Sequence, residues 1–389
     1  MSKKIKKICC CVLSRANYGS IKSLMEKIQA DKKFQLQLVV GSSALIDKQG
    51  KCIELIKNDG FKVDEEVNMN MSDDSPGAMA QIVGLGLLKF PEILKKLKPD
   101  IVFIVGDRYE VISAAIATSY MNIPLAHTMG GEITGTIDES VRHAITKLSH
   151  LHFVSNKDSL QRVIRLGELK KNVFNVGCPR IDLVKKSLNQ KLIKKLQKYL
   201  NENGVGDKID LNKKFVVLSQ HPVTTEYEKT KQHIQETISA INKINMQSII
   251  LWPNTDAGSD FISRTFRIWR EKNKLKNSRF FRNIPSDLYS TLLDKCSCVI
   301  GNSSSSIREG AYIGVPAVNI GTRQNKRQRA KNVIDTEFDT AKIVSSIKKQ
   351  LKNGKYKSSN LYGNGNSSEK ILNILKNIEN INIQKTNTF

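Results

Sequence analysis

Short apolar runs alternate along the first half of the chain with stretches in which apolar residues recur at helical spacing. Strands are predicted for the runs KKICCCVLS, QLQLVVGSS, VFIVGDR, PLAHTMG and LHFVSN. A polar loop over 15–19 is followed by a predicted helix, SIKSLMEKIQA, and a long helix is predicted over 74–98. Asp138 opens a polar signature typical of a helix start, and VRHAITKLSH continues that helix. This βαβ succession predicts a parallel sheet with helices on both faces.

The same alternation begins again after an interruption. A turn at GCPRID (177–182), a lysine-rich helix over 184–200 and an exposed loop over 201–214 separate the two series. In the second series, strands are predicted at KFVVLSQHP, SIILWPNTDAG, CSCVIGNSSSS and PAVNIGTR, and helices over 229–245 and at PSDLYSTLLDKC and IREGAYIG. The segment NLYGNGNSSEKILNILKNI ends in a short helix, and the last residues, INIQKTNTF, are predicted to fray.

Two series of this kind in 389 residues predict an α/β protein with two Rossmann-like, doubly wound domains that face a cleft. We expect an N-terminal domain over 1–182, a linker helix and loop over 183–212, a C-terminal nucleotide-binding domain over 213–365, and a final helix and tail over 366–389. Ligands bind preferentially in clefts between domains, so the cleft is the expected site.

Composition restricts the class of partner. The chain has 62 lysines and arginines against 37 acidic residues, a net charge of +25. The lysines are spread over helix faces, and no basic motif with interleaved aromatic residues occurs, so the charge does not indicate a nucleic-acid partner. No apolar run reaches the roughly 20 residues that a membrane span needs, and no small-residue cleavage site follows the basic N-terminus. We expect a cytoplasmic protein.

The seven cysteines do not suggest a disulfide framework, because their number is odd and three of them are consecutive in a predicted buried strand. Cys296 and Cys298 alternate along a strand pattern and are predicted to be packing residues. No spacing of His, Cys and carboxylate residues matches a closed metal site. We therefore expect neither a metal nor another cofactor.

Charged residues cluster where predicted strands of the first domain end. Asp107 and Arg108 directly follow the VFIVG run, and Glu132, Asp138 and Arg142 lie in the loop after PLAH or in the first turns of the next helix. Ligands bind at the carboxyl ends of the strands in open α/β sheets, and carboxylates beside an arginine suit acid–base work on a substrate with an anionic leaving group. The alternative is that Asp138 only caps its helix and Asp107 only closes a turn.

Strand ends of the second domain carry polar groups as well. His221 ends one strand, Asn254 follows another, and the serines of 303–306 precede a helix with Glu309 in its first turns. Arg323 comes at the next strand end, near enough to join them. Backbone N–H groups at a helix N-terminus bind anions, so these strand ends together outline a diphosphate pocket. Taken singly, serine-rich loops are often only caps, and a lone histidine is more often structural.

Seven segments stand out in this order: GDRYE (106–110), GGEITGTIDESVRHAITKLSH (130–150), GCPRID (177–182), HPVTTE (221–226), PNTDAGS (253–259), IGNSSSSIREG (300–310) and GTRQNKR (321–327). Together they resemble the hydrolysing UDP-N-acetylglucosamine 2-epimerases, over almost the whole chain. That family includes bacterial sialic-acid enzymes and the epimerase half of the animal bifunctional enzyme. The resemblance implies a glycosyltransferase-B-like fold whose C-terminal helix returns to the first domain. It also implies a soluble homodimer or homotetramer without a metal.

The resemblance implies that UDP-N-acetylglucosamine is converted to N-acetylmannosamine and UDP, by anti elimination to 2-acetamidoglucal and rehydration. Asp107 and Asp138 would supply the acid–base chemistry, and Glu309 would bind the ribose hydroxyls. The candidate catalytic residues are Asp107, Glu132, Asp138, Arg142 and His221. The candidate nucleotide-binding residues are Arg15, Arg108, Asn254, Ser303, Ser304, Glu309 and Arg323.

One position departs from the family pattern. Better-known members have a catalytic glutamate two residues after the histidine that corresponds to His127, and this chain has Met129 there. Either Glu132, whose preceding glycines let the backbone approach a sugar, takes over the role, or the mechanism depends on the aspartates. Asp138 is expected to suit a base because a helix N-terminus favours its ionised form.

Three further possibilities stay open. Similar family members act on GDP-linked diacetamido sugars, so a GDP- or UDP-linked diacetamido sugar is an alternative substrate. A glycosyltransferase with the same fold would need an acceptor site and would not need the carboxylates of the first domain. A non-catalytic sensor of nucleotide sugars is the third possibility, and Met129 makes it conceivable.

Overall fold

The computed structural model describes residues 5–47, 51–188, 191–272 and 275–388. The strands of the first domain are β1 (Lys6–Val12), β2 (Phe34–Gly41), β3 (Glu65–Val67), β4 (Ile101–Val105), β5 (Leu125–Thr128), β6 (Leu151–Val154) and β7 (Val173–Asn175). Its helices are α1 (Arg15–Ala30), α2 (Cys52–Asn58), α3 (Pro76–Leu97), α4 (Val111–Tyr120), α5 (Asp138–Leu148), α6 (Lys157–Arg165) and α7 (Pro179–Ser187).

The second domain repeats this architecture. Its strands are β8 (Val205–Gly206), β9 (Phe215–Ser219), β10 (Gln247–Leu251), β11 (Ser278–Phe281), β12 (Cys298–Gly301), β13 (Ala317–Ile320) and β14 (Val333–Thr336). The helices that follow α7 are α8 (Lys191–Glu202), α9 (Thr230–Ile244), α10 (Ser259–Glu271), α11 (Ser286–Lys295), α12 (Arg308–Ile313), α13 (Thr340–Asn353) and α14 (Ser367–Asn377).

The strand orders confirm the predicted fold class. Over the described residues the first sheet has the order β3-β2-β1-β4-β5-β6-β7, with all neighbours parallel. The second sheet has the order β14-β13-β12-β9-β10-β11-β8, and only β8 pairs antiparallel. In the first sheet β2 lies on one side of β1 and β4 on the other, and in the second sheet β10 lies on one side of β9 and β12 on the other. The chain therefore reverses its direction across each sheet. Such a topological switch point is where ligands bind in doubly wound folds.

Strand β1 shows why the apolar runs form buried strands. Cys9, Cys10 and Cys11 are fully buried, since a central parallel strand has helices on both of its faces. Ile8 and Cys10 join the core on one face of the sheet, and Cys9 and Cys11 join the core on the other. All seven cysteines are free and buried, in agreement with their predicted role in packing.

The segment 15–19, which the sequence pattern predicts to be a loop, is the first turn of α1. The Ser14 hydroxyl accepts a hydrogen bond from the backbone N–H of Asn17 at 3.2 Å and so caps the helix. The Asn17 amide donates to the carbonyl oxygen of Val105, at the end of β4. The prediction was wrong because Ser14 was assigned to the preceding strand, and the correction places Arg15 at a helix N-terminus beside β4.

The connection between the domains also differs from the prediction. GCPRID is a turn only at its start, because Pro179 occupies the first turn of α7, where its missing N–H costs nothing. The single helix predicted over 184–200 is two helices, α7 and α8, and residues 189 and 190 lie outside the described part of the chain. The domain boundaries drawn from the sequence stay a prediction.

The C-terminal segment returns to the first domain. Helix α14 packs on α1, and the Lys6 ammonium donates to the carbonyl oxygens of Leu375 and Ile378 at 2.9 and 2.6 Å. The residues beyond α14, which were expected to fray, are hydrogen-bonded to this domain. The backbone N–H of Thr388, for example, donates to the Gly167 carbonyl oxygen at 3.1 Å. The expectation was wrong because fraying requires a terminus without such partners.

Helices α3 and α4 present an apolar outer face. Among the described helices, α3 is the one whose length and composition would be enough to cross a membrane. In its most apolar stretch of 18 residues, 28% is buried inside the protein. Ile82 and Phe90 pack it against the domain, whereas Leu88 on α3 and Tyr120 on α4 are 77% and 84% exposed. Residues 76–88 and 111–120 contain no charged side chain. An uncharged outer face is unusual in a chain with a net charge of +25.

Candidate active site

A cavity lies between the carboxyl ends of the two sheets. The loops and helix starts that follow β1, β4, β9, β12 and β13 contribute Arg15, Asp107, His221, Ser303 and Arg323 to its lining. The lining includes all of the predicted site residues except Glu132 and Arg142: Arg15, Arg108, Asn254, Ser303, Ser304, Glu309, Arg323, Asp107, Asp138 and His221. The strand-end loops that carry these residues therefore meet at one cavity, and the roles of the residues stay a prediction.

Asp107 directly follows the turn after β4 and is held by Arg142 from α5. Its Oδ2 accepts a hydrogen bond from Nη2 of Arg142, and Nη2 of Arg327 lies 4.0 Å away. Burial alone would raise the pKa of the Asp107 carboxyl, but the guanidinium groups of Arg142 and Arg327 hold this pKa well below its usual range. Asp107 is therefore an ionised carboxylate and does more than close a turn.

Arg142 is fully buried behind the cavity wall. Besides Asp107, its guanidinium donates to the carbonyl oxygen of Glu132 at 2.7 Å and to the Thr134 hydroxyl at 3.2 Å. These contacts tie α5 to the loop that follows β5. Arg142 was predicted to be catalytic, but it is not among the residues that line the cavity. Its Nη1 and Nη2 atoms donate to oxygen atoms of the protein instead.

Glu132 is also behind the wall and bridges the two domains. Its Oε2 lies 2.6 Å from Nη2 of Arg308 and 3.4 Å from Nη2 of Arg327, and its Oε1 accepts a hydrogen bond from the Ser155 hydroxyl at 2.8 Å. Burial opposes ionisation, but the arginines lower the pKa of Glu132 below its usual value. The prediction that Glu132 faces a sugar is corrected, since Glu132 is 3% exposed and paired with two cations.

Asp138 differs from both of these carboxylates. It is the first residue of α5, Ile137 occupies the cap position, and no side chain caps the helix. Burial, together with the charges of Asp107 and Asp256, raises the pKa of Asp138 to about 7. The expectation that the helix N-terminus keeps Asp138 ionised was wrong, because desolvation and two neighbouring carboxylates outweigh the helix dipole. Asp138 is therefore able to exchange a proton near neutral pH.

The serine loop after β12, residues 303–306, and Arg323 line the second-domain side of the cavity. The Ser303 hydroxyl accepts from the backbone N–H of Ser305, and a 3₁₀ turn over Ser304–Ser306 leads into α12. Arg323 donates to the Asn302 carbonyl oxygen at 3.3 Å and pairs with Asp256 at 3.5 Å, while its buried Nε has no hydrogen-bond partner among the described residues. A cationic group with an unused donor beside a serine loop suits a diphosphate.

His221 is fixed as a neutral donor. The backbone N–H of Asn254 donates to its Nδ1 at 3.1 Å, so the ring proton resides on Nε2. Asn302 holds the backbone of His221 from both sides, at 2.7 and 2.8 Å. Burial and the positive charge of Arg323 lower the pKa of His221 well below its usual value. The neutral imidazole can therefore donate one hydrogen bond from Nε2, which lies 3.5 Å from the Ser219 hydroxyl at the cavity wall.

Glu309 and Arg180 form a second pair of residues from different domains. Arg180 Nε donates to Oε1 of Glu309, whereas the other carboxylate oxygen is buried without a hydrogen-bond partner among the described residues. A buried carboxylate oxygen of this kind is suited to accept hydrogen bonds from ligand hydroxyl groups. The sequence analysis missed Arg180 as a site residue, although it lies within the GCPRID motif.

Arg108 lines the cavity, but its donors are occupied. It pairs with Glu110 at 2.6 Å and with Asp256 at 2.7 Å, and it donates to the Thr255 hydroxyl at 3.3 Å. Asp256 belongs to the second domain, so Arg108 is a bridge between the domains in this structure. Asp256, Arg308 and Arg327 all lie in segments that the sequence analysis had singled out, but their pairing across the cleft has no signal in one sequence.

Among the described residues there is no group of three or more His, Cys, Asp or Glu side chains that could hold a metal ion. Charged side chains of the described residues line the cavity. They include guanidinium groups, the ionised Asp107 and the carboxyl of Asp138.

Three comparisons place this geometry among known proteins. A family model described as UDP-N-acetylglucosamine 2-epimerase matches residues 26–376. The UDP-N,N'-diacetylbacillosamine 2-epimerase (hydrolyzing) of Legionella pneumophila is 34% identical over 374 residues, which cover 96% of each chain. The GDP/UDP-N,N'-diacetylbacillosamine 2-epimerase (hydrolyzing) of Campylobacter jejuni is 34% identical over 87% of this chain and 86% of its own.

The crystal structure of UDP-GlcNAc 2-epimerase from Neisseria meningitidis bound to UDP-GlcNAc has the same fold. Its TM-score is 0.78 with 17% sequence identity, and the match covers 95% of this chain and 100% of that chain. At this level of identity, the similarity establishes the arrangement of the two domains and nothing about the ligand.

The pairing of Glu132 with Arg308 and Arg327 predicts a large effect on stability. Glu132→Gln should lower the free energy of unfolding by about 3 kcal/mol, because it leaves two buried guanidinium groups without their shared carboxylate. Ser155→Ala, which removes only the hydroxyl that donates to Glu132, should cost about 1 kcal/mol. Urea unfolding of both variants at pH 7 measures the difference. Equal losses would show that the ion pair does not hold the domains together.

Proposed function

The chain belongs to the UDP-N-acetylglucosamine 2-epimerase family and is a hydrolysing 2-epimerase of nucleotide sugars, and we propose that it acts on a UDP-linked 2-acetamido sugar. The observation that carries this proposal is the pair of unlike carboxyl groups, Asp107 and Asp138, on the wall opposite the serine loop and Arg323. One wall is suited to proton transfer and the other to an anionic leaving group.

The order of events follows from the acidity of the sugar. The hydrogen on C2 of a pyranose is barely acidic and becomes removable only as the C1–O bond to the diphosphate breaks and the ring gains oxocarbenium character. The site must therefore first stabilise the departing diphosphate. Arg323, with its unused Nε donor, the neutral His221 and the serine loop supply fixed donors for this charge.

Proton transfer is assigned to Asp138. When C1–O breaks, Asp138 takes the C2 proton, a C1=C2 double bond forms and UDP leaves with the electrons of the C1–O bond. Water then adds across this double bond. Its hydroxyl joins C1, and C2 gains a proton on the face opposite to the one that lost its proton, which gives the manno sugar. A pKa of about 7 suits Asp138 to this exchange. The ionised Asp107 stabilises the positive charge on the ring.

Glu132 and Arg142 are assigned positioning roles. Arg142 fixes the Asp107 carboxylate, and Glu132 holds Arg308 and Arg327 of the second domain against the first. We assign the nucleotide to Arg15, Asn254, Ser303, Ser304, Glu309 and Arg323, with the buried free oxygen of Glu309 facing the ribose hydroxyls.

The sugar has two candidates. N,N'-diacetylbacillosamine is favoured because two of the relatives with 34% identity carry that substrate in their names. N-acetylglucosamine is the substrate that the family description names. Met129 lines the cavity with an apolar side chain, which suits a more deoxygenated sugar. We therefore place the diacetamido sugar first.

A direct assay tests the proposal. The protein is incubated with each UDP-linked sugar in deuterated water with excess EDTA, and UDP and the free sugar are measured. We expect UDP release with at least one of the two sugars. Deuterium should be incorporated at C2 of the free product, because the original proton is lost. UDP binding without release would indicate a sensor, and transfer to an added acceptor would indicate a glycosyltransferase.

Removal of the exchangeable carboxyl tests the assignment of Asp138. Asp138→Asn should lower kcat by about 100-fold or more with UDP affinity unchanged, because only proton transfer is lost. In the wild type, kcat should rise with pH through about 7, since the base must be ionised. Asp158→Asn, which changes an exposed carboxylate in the first turn of α6, is the control. A variant of Asp138 with wild-type kcat would remove this residue from the chemistry.

The uncharged outer face of α3 and α4 is our proposal for the contact between copies of the chain. Two copies with a net charge of +25 each approach most easily through a face without charges. Leu88→Lys should therefore yield monomers in light scattering, whereas Ile268→Lys, at an exposed apolar residue of α10, should not. A wild-type protein that is already monomeric would refute the proposal.

A further inference from the structure

The chain beyond α14 forms a C-terminal strap, residues 379–388, on the first domain. The strap contacts the carboxyl end of α5, which is the end farther from the cavity. The ring of His150 fixes its course, since Nδ1 accepts from the backbone N–H of Leu125 and Nε2 donates to the Ile383 carbonyl oxygen at 3.1 Å. Asn387 accepts a hydrogen bond from the Lys147 ammonium at 2.6 Å.

Lys385 occupies the carboxyl end of α5. Its ammonium donates to the carbonyl oxygens of Lys147 at 2.6 Å and of Ser149, with Thr146 at 3.4 Å. The last carbonyl groups of a helix have no partner within the helix, and a cation there also interacts favourably with the helix dipole. Lys385 therefore caps α5 from a segment more than 200 residues away along the chain.

A buried carboxylate holds this cap in place. Glu168 is 3% exposed and lies 2.7 Å from the Lys385 ammonium, 2.8 Å from the Lys147 ammonium and 3.0 Å from Nε2 of His152. Its three partners come from the strap, from α5 and from β6. The cluster thus joins the end of α5 to the sheet and leaves no freedom for the helix to slide along its axis.

The other end of the same helix is at the cavity. Asp138 is its first residue and lines the cavity, and Arg142, one turn further, holds the Asp107 carboxylate. Helix α5 has 11 residues and is therefore about 16 Å long. A helix of this length is stiff along its axis because backbone hydrogen bonds join its successive turns, so a displacement at its carboxyl end also moves Asp138.

We propose that Lys385 is a positioning residue for the reaction, which sets the position of Asp138 and Arg142 by capping the far end of α5. This inference rests on the function proposed above for the cavity. The nucleotide, in contrast, is held mainly by the second domain, so the strap should affect the chemical step and not the binding of the nucleotide.

Substitution of Lys385 tests the proposal. A misplacement of about 1 Å can cost a reaction about 100-fold, so Lys385→Ala should lower kcat by about tenfold or more while KM changes less than about twofold. Lys385→Arg should restore most of kcat, since a guanidinium can donate to the same carbonyl oxygens. The pH at which kcat is half-maximal should also shift in Lys385→Ala, because Asp138 is then held in a different environment.

Lys376→Ala is the matched control. Lys376 lies on α14, pairs with Asp31 at 2.6 Å and is 25% exposed, as is Lys385, but it does not contact α5. It should lower the melting temperature less than Lys385→Ala, because Asp31 is partly exposed and Glu168 is buried, and it should leave kcat and its pH profile unchanged. Equal kcat values in the two alanine variants would overturn the proposal.

Amide hydrogen exchange keeps the test independent of the reaction. Exchange over 138–148 should be faster in Lys385→Ala than in Lys376→Ala, whether or not a substrate is known. If the wild type releases no UDP from either sugar, the proposed function fails and the exchange comparison alone decides whether the strap holds α5. Unchanged exchange over 138–148 would overturn the positioning role.

Discussion

The site depends on guanidinium groups of one domain that are buried against carboxylates of the other. Arg308 and Arg327 meet Glu132, Asp256 meets Arg108, and Arg180 meets Glu309 across the cleft. A buried ion without its partner lowers the stability of the folded protein, so we expect these pairs to form together as the domains come into contact. The cavity acquires its walls only when the two sheets are brought together in this register, and every assignment of a role to a lining residue presupposes this contact.

The same network gives two aspartates different pKa values, although the sequence pattern around them does not distinguish them. Asp107 is surrounded by arginines and stays ionised, whereas Asp138, at the edge of the network, has carboxylates as its neighbours and titrates near neutral pH. Neither property belongs to the residue type. Both follow from burial and from the charges that the fold has placed beside each group.

The fold and the outline of the site could be predicted because they depend on local patterns. The helix predicted over 74–98 is found at Pro76–Leu97, and most strand ends are where the apolar runs stop. What could not be predicted depends on the direction of side chains and on distant neighbours. Met129 and Gly131 have φ values of +65° and +71°, a backbone path that directs Glu132 away from the cavity, and no pattern of polarity encodes it. Asp256, which contributes to the raised pKa of Asp138, lies in the loop after β10 of the other domain.

The cysteines of the chain have a consequence for how its folding can be followed. All seven thiols are buried, and burial raises the pKa of Cys52 and Cys178 to about 12, so that almost no reactive thiolate is present at neutral pH. Cys9 to Cys11 lie in the central strand of one sheet, and Cys298 begins a strand of the other. An alkylating reagent therefore reacts with Cys9 to Cys11 only when the first sheet opens and with Cys298 only when the second sheet opens. The rate of thiol modification therefore measures how often each domain opens.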